Sequence, residues 1–339
     1  MAQPNRTVDE QAVAIGASVC DCLGHLPEGG KRSRLTPRVK YASYSTHVEN
    51  SHRRALTSQG TSLFIMSNLG IDDRHDLHMS DSCLHSILAC PNCKQSLLIG
   101  DEIICSACGA SYTRMPHALN LMPRPDARSS EIWTSWAKLQ ENGVVSYEQD
   151  PDRNLAVGER EDCSRFSRFC GFSGLVLDVG CGPQPWPAYL SESAAGTVFC
   201  GVDPLVGGKP GKYTRVRGLA EYLPFRNEAF SHVVFATTLD HFVSPYAGLV
   251  EARRVVTSGG TIEVWLGQKA EDAPAPDKSH DWYDQLIKPA GADDVFHMER
   301  LDEAAAIDLF NSAGLQVVER ESHQSGDYRT DNFFRLAVV

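Results

Sequence analysis

The chain has 339 residues, 42% hydrophobic and 22% charged, which suits two domains, or one with tails, around a real core. An odd count of eleven cysteines and a net charge of −11 argue against a disulfide scaffold and against a surface built to grip nucleic acid. No apolar run reaches membrane-span length, and the first twenty residues, with Asp9 and Glu10, lack the pattern of a secretory signal, so the expected compartment is the cytoplasm.

Residues 1–80 are rich in Ser, His, Arg and Gly and hold one short apolar run, at 63–66. They read as a disordered tail. A second reading makes Lys31, Arg32, Arg34, Arg38 and Lys40 an RNA-binding arm. Residues 131–339 hold 19 Lys/Arg against 31 Asp/Glu, so the C-terminal part is the acidic one and poorly suited to RNA.

Residues 83–123 form the next unit. Cys90 and Cys93 make one Cys-x-x-Cys pair, Cys105 and Cys108 a second, eleven residues on. Pro91 and Gly109 supply turn formers, and two strands, at 96–99 and 102–105, flank a turn at 100–101. Four thiolates at this spacing suit a tetrahedral Zn2+ ion, and with every ligand from protein the metal is structural. The alternatives are four core cysteines or a redox pair. Cys20, Cys22, Cys83, Cys163, Cys170, Cys181 and Cys200 read as reduced thiols.

The stretches "SILACPNCKQSL", "ICSACGASY" and "YTRMP" resemble the small zinc-binding activator subunit of certain tRNA and protein methyltransferases. The resemblance implies a folding or docking module beside a methyltransferase domain, with a protein partner through the ribbon as one use.

Residues 124–130 read as a linker, and 131–170 carry helical patterning through Trp133, Trp136, Leu139, Phe166 and Phe169. Linker and covering helices thus occupy 124–170, and the large domain 171–339. From 175 onward strands (175–180, 197–203, 232–238, 259–267) alternate with helices (185–193, 245–256), then a helix at 302–313 and strands at 315–321 and 332–339. This predicts an α/β fold: a Rossmann-like, doubly wound, mostly parallel sheet ending in an antiparallel strand, plus the small N-terminal zinc ribbon.

The turn "LDVGCGPQP" at 177–185 decides the ligand class. A dinucleotide comb would have a third glycine; here Pro183 and Pro185 stand instead, and Asp178 would repel a pyrophosphate. An acid there suits a ligand with an amino group and no phosphates, which points to S-adenosylmethionine. Asp178 is expected near its ammonium, with Gly180, Cys181 and Gly182 allowing close backbone approach. The prolines suit a first helical turn. Asp203, followed by Pro204, ends the next strand, where an acid binds ribose hydroxyls.

"GLAEYLPFRNEAFSHVVFATTLDHF" and "LVEARRVVTSGGTIEVW" resemble class I S-adenosylmethionine-dependent methyltransferases of the ubiquinone-biosynthesis type. The likeness spans about 175–265, with a weaker echo in "LDEAAAIDLFNSAGLQVVE". It implies that Ala220 gives its N–H to the adenine, between Leu219 and Glu221, and that Thr237 borders the cofactor. Leu219 departs from the family's usual acid, and Ser231 and His232 replace an Asp.

Methyl transfer is an in-line displacement, so the protein mainly aligns nucleophile and methyl; a base is needed only where the acceptor must lose a proton. His241 is the preferred base and Asp240 the second; alternatively His241 caps or packs the following helix. Residues 267–300 are expected to build the acceptor pocket, with His280, Asp281, Trp282, Tyr283 and His297, the two histidines as polar lid residues rather than metal ligands. Trp133 and Trp136 either close the other side or sit in the core. The function expected is methyl transfer to a small-molecule acceptor (sugar, lipid or secondary metabolite). Two alternatives stand beside it: an RNA methyltransferase, resembling ribosomal-RNA guanine methyltransferases with an N-terminal zinc knuckle, and a non-catalytic cofactor-binding scaffold.

Overall fold

A computed structural model describes residues 77–151, 160–270, 272–273 and 282–339. Of the tail expected over residues 1–80, residues 1–76 with the basic arm lie outside the described residues, as do His280 and Asp281; residues 77–80 belong to the fold, Leu77 bridging to Tyr213 and the Met79 N–H bonding Thr214 Oγ1.

In chain order the elements are α1 (Asp81–Ile87), β1 (Leu98–Ile99), β2 (Ile103–Ile104), β3 (Ser111–Met115), β4 (Ala118–Asn120), α2 (Glu131–Gln149) and α3 (Glu161–Cys170). Then come β5 (Leu175–Val179), β6 (Val198–Val202), β7 (Thr214–Arg217), β8 (Phe230–Ala236), α4 (Pro245–Val255), β9 (Val256–Lys269), α5 (Glu303–Ser312), β10 (Leu315–Gly326) and β11 (Arg329–Val338). Local chemistry sets several boundaries. Pro245 opens α4 at a position that needs no N–H, and Ser244 Oγ accepts the Ala247 N–H at 3.2 Å. Asp302 caps α5 in the same way through Ala305, at 2.8 Å.

The strands join in the order β1-β2-β3-β4-β7-β6-β5-β8-β9-β11-β10. From β4 to β9 neighbours run parallel; β11 is antiparallel to both β9 and β10. The antiparallel last strand is therefore present but not at the edge. β11 carries the apolar run Phe333–Phe334 and is buried there, while the mostly polar β10 takes the exposed edge. Side chains alternate across the sheet. Leu177, Val233 and Phe235 share a core with Leu249 and Ala252 of α4 and Phe310 of α5. Val176, Val234 and Phe199 share another with Phe166 and Phe169 of α3. Of the two helices in 131–170, α3 packs Phe166 and Phe169 into that second core, while α2 packs Trp136 and Leu139 with Leu219, Ala292 and Met298.

Two expectations need correction. Residues 185–193 form no α-helix; only a 3-10 turn, Ala188–Leu190, is present. Pro183, Pro185 and Pro187 each disfavour the helical region for the residue before them, so the segment bends instead of coiling. The strands of the paired-cysteine unit are also shorter than expected, and that unit is not a free appendage. β4 pairs with β7 (Leu119 opposite Val216, Asn120 opposite Arg217), and Leu88 bridges to Phe225. Leu88, Leu119 and Leu121 bury in the same core as Leu223 and Phe225.

The chain runs outward from β5 through β6 to β7, then returns to lay β8 against the other side of β5. That reversal leaves a crevice beyond the carboxyl ends of β5 and β8, where open α/β sheets bind ligands.

Candidate active site

β5 delivers the glycine turn to that crevice. Gly180 has φ 78° and donates its N–H to the Val202 carbonyl at 2.8 Å. A Cβ there would lie 2.7 Å from Thr238, so both the left-handed backbone and the close approach call for glycine. Gly182, φ 69°, donates its N–H to Asp203 Oδ2 at 3.0 Å, and a Cβ would lie 2.9 Å from the Tyr147 hydroxyl. Asp203 Oδ1 accepts the Leu205 N–H at 2.7 Å. Burial pushes the Asp203 carboxyl up to about 6, against the pull of those N–H bonds.

A cavity of about 340 Å³ opens above this turn. Gly180, Cys181, Asp203, Pro204, Leu219, Ala220, Glu221, Thr237, Asp240 and His241 all line it, so the fold brings ten of the twelve expected site residues to one wall system. The other two stand behind it. Asp178 is fully buried; the Tyr189 hydroxyl sits 3.0 Å from both its oxygens and the Tyr213 hydroxyl 3.2 Å from Oδ2. The structure therefore places Asp178 beneath the turn, not on the cavity wall where a ligand's ammonium was expected. Burial pushes its carboxyl up to about 7, opposed by the two tyrosine hydroxyls. Gly182 is screened in the same way behind Asp203 and Tyr147.

The remaining walls come from several elements. Trp136, Leu139 and Tyr147 of α2 face the cavity; Trp136 and Leu139 pack with Leu219, and Trp133 meets Trp136 edge-on at 5.3 Å. Glu221 Oε1 accepts the N–H groups of Val243 and Ser244 at 2.9 and 3.2 Å, tying the cavity floor to the start of α4. Thr237 holds φ 56°, a strained value for a β-branched residue, fixed by its N–H to the Trp265 carbonyl at 2.9 Å. Arg215, buried on β7, donates to the carbonyls of Gln184 (2.6 Å) and Lys209 (2.9 Å) and pins the proline loop; Trp186 meets Phe199 and Tyr213 edge-on.

At the far end, His241 Nδ1 lies 2.8 Å from the Phe296 carbonyl, so Nδ1 carries the hydrogen and Nε2 is an acceptor. Burial, helped by the neighbouring His297, lowers His241 to about 4, so the ring is neutral at neutral pH. The two imidazole centroids are 4.3 Å apart. Tyr283 and His297 of the expected acceptor segment line the cavity, whereas Trp282 does not. Asp294, Phe296 and Arg300 of the same segment also line it, as does Thr238, the neighbour of Thr237; Tyr147 lines it and was missed, as was Arg215, which holds the proline loop. No local pattern marks Tyr147 or Arg215: each meets the site through a contact distant in sequence.

Residues 177–264 match the family described as a methyltransferase domain. Over that stretch the chain is similar to methyltransferase domains. No curated protein matches the sequence. Among solved structures, the chain is similar to the Burkholderia thailandensis 1,6-didemethyltoxoflavin-N1-methyltransferase, solved with 1,6-didemethyltoxoflavin and S-adenosylhomocysteine. The identity is 14% and the TM-score 0.43, over 70% of this chain and 96% of that one. It is also similar to Haemonchus contortus phosphoethanolamine N-methyltransferase 2 in complex with S-adenosyl-L-methionine (11%, TM-score 0.41, 54% of each chain). A third is the Streptomyces coelicolor A3(2) geranyl diphosphate C-methyltransferase (12%, TM-score 0.38, 52% and 78%).

The four paired cysteines belong to the β1–β4 end of the sheet. Cys90 and Cys108 Sγ are 3.6 Å apart, Cys93 and Cys105 Sγ 3.4 Å, and all four lie within 4.8 Å of one another. Four thiolates around a tetrahedral zinc stand ~3.8 Å apart, so the set fits that ion with small adjustments. The two knuckles repeat one geometry. Lys94 (φ 62°) and Gly109 (φ 69°) each follow a pair and donate to the first cysteine's carbonyl at 2.8 Å. Lys94 then reaches Glu251 of α4 at 2.5 Å, and burial lowers its ammonium's pKa against that partner's pull.

Proposed function

We propose that the chain transfers the methyl group of S-adenosylmethionine to a small-molecule acceptor. The observation that carries this proposal is the single cavity joining the glycine turn and Asp203 at one end to a neutral His241 beside Asp240 at the other. When bound, S-adenosylmethionine supplies an electrophilic methyl on a sulfonium leaving group.

This chain's residues do the rest. Gly180 and Cys181 let the backbone approach the amino-acid portion. The Asp203 carboxylate, already oriented by two N–H groups, offers its remaining lone pairs to ribose hydroxyls. Leu219 and Ala220 give an apolar wall and backbone for the adenine. α2 covers the cavity and excludes water. His241 Nε2, the ring fixed through the Phe296 carbonyl, takes the proton of an acceptor hydroxyl or amine. The partly aromatic acceptor end, with Tyr283 and Phe296, suits a small molecule, and the acidic balance of residues 131–339 speaks against RNA. The order of Ala220-Glu221, Thr237 and the strand β9 supports the finer likeness to the ubiquinone-biosynthesis type. The four cysteines hold one structural zinc, and the ribbon, bonded into this chain's own sheet, serves as a folding module over residues 83–123.

Purified protein incubated with methyl-labelled S-adenosylmethionine and fractionated cell extract tests the proposal. Label is expected in a small-molecule fraction, lost with Gly180→Val. Label in RNA, or in no fraction, overturns it.

A further inference from the structure

We propose that Asp240, His241 and His297 bind a divalent transition-metal ion at the acceptor end of the cavity. His241 Nε2 lies 3.8 Å from Asp240 Oδ1, and His297 Nε2 lies 3.7 Å from Asp240 Oδ2. One ligand atom from each residue falls within 4.8 Å of the other two. These separations exceed hydrogen-bond length, so the three groups converge without bonding one another. A cation between them at ordinary metal–nitrogen and metal–oxygen distances needs only a small contraction.

The outer bonds carry the inference further. His241 Nδ1 donates to the Phe296 carbonyl at 2.8 Å, and His297 Nδ1 to Asp294 Oδ1 at 2.7 Å. Asp294 is itself held by Arg300 at 2.7 Å. Metal-ligating histidines are oriented in this way, the far nitrogen tied to a carbonyl or carboxylate and the near one left as acceptor. Rigid backbone supports the set: Asp240 and His241 lie in the 3-10 turn Leu239–His241 after β8, and the Glu299 N–H bonds the Asp240 carbonyl at 3.3 Å. Arg300 Nη1 stands 3.6 Å from Asp240 Oδ2, which leaves Oδ1 to the cation.

Two histidines and one carboxylate suit zinc, iron(II), cobalt or nickel and leave coordination positions open toward the cavity. On the methyl-transfer proposal, those positions take an acceptor oxygen. A bound cation favours its deprotonated form, the proton passing to solvent, and His241 then holds the metal instead of acting as base.

The test uses the full-length protein with zinc in its ribbon, titrated with Co2+. One further equivalent is expected, with visible d–d absorption and no sulfur-to-metal charge-transfer band. The double variant His241→Asn/His297→Asn is expected to lose it. Asp294→Asn, which spares all three ligands, is expected to weaken it about 10–100-fold. Unchanged melting and S-adenosylhomocysteine binding confirm that the variants fold. No cobalt uptake, uptake with the sulfur band alone, or equal uptake by the double variant overturns the proposal. Because the readout is the metal, its failure is separate from failure of methyl transfer.

Discussion

Gly182 donates its backbone N–H to Asp203 Oδ2 at 3.0 Å, tying the glycine turn after β5 to the acid that ends β6. With the Leu205 N–H on the other oxygen, one side chain fixes two backbone segments of the cavity. Asp203→Ala removes both acceptors and leaves two N–H groups without them, a loss of about 2–4 kcal/mol. Urea unfolding measures that loss, and calorimetry with S-adenosylhomocysteine is expected to show affinity reduced at least ~10-fold, since ~1.4 kcal/mol is one decade. Unchanged affinity would contradict the placement of the ribose.

Arg215 acts on the same turn from β7. Its bonds to the Gln184 and Lys209 carbonyls hold a segment that its prolines keep out of a helix. Arg215→Ala is expected to cost about 2–4 kcal/mol and to open the proline loop to protease. S-adenosylhomocysteine should slow that cleavage. Equal cleavage of variant and wild type would show that the loop holds its shape without the arginine.

Asp178 gives a pH dependence with a definite sign. Its carboxyl is near 7 in the fold, mainly through burial, and near 3.9 when unfolded. The folded state therefore binds the extra proton. The resulting stability is fully present below about 4 and is lost as pH rises through about 7, an effect on the order of 3–4 kcal/mol. Asp178→Asn keeps an acceptor for the tyrosines but cannot titrate. The stability difference between wild type and variant should move in the variant's favour from pH 4 to pH 8. A constant difference would show that Asp178 titrates normally.

The ribbon prediction follows from its shared core. Native mass spectrometry is expected to show one zinc per chain held by Cys90, Cys93, Cys105 and Cys108. Its removal by chelator should destabilise the whole of the described fold, because Leu88, Leu119 and Leu121 pack with Leu223 and Phe225. The expected loss is about 3 kcal/mol or more, roughly 10 °C in Tm. A metal-free protein with unmoved melting would make the cysteines ordinary core residues.

What was legible in the sequence was local. The apolar run before Gly180, the acid at Asp203 and the alternation from β5 to β9 depend on neighbours in the chain, and the structure has them in order. What was hidden depends on distant contacts. Asp178 looked like a ligand group because nothing in its own segment shows Tyr213, just before β7, or the nearby Tyr189 turning their hydroxyls onto it. The missing helix after β5 reflects three prolines acting together where one would have been tolerated. The ribbon's strand addition and the meeting of His241 with His297 come from tertiary packing that neither motif encodes by itself.

Binding of S-adenosylhomocysteine to the purified protein, measured by isothermal calorimetry beside Gly180→Val, tests whether the glycine turn holds the cofactor. A valine side chain would press on Thr238 at the point where the glycine turn meets the end of β8. One molecule is expected per wild-type chain and none on a variant that still melts cooperatively. No binding by the wild type, or equal binding by both proteins, would contradict that expectation.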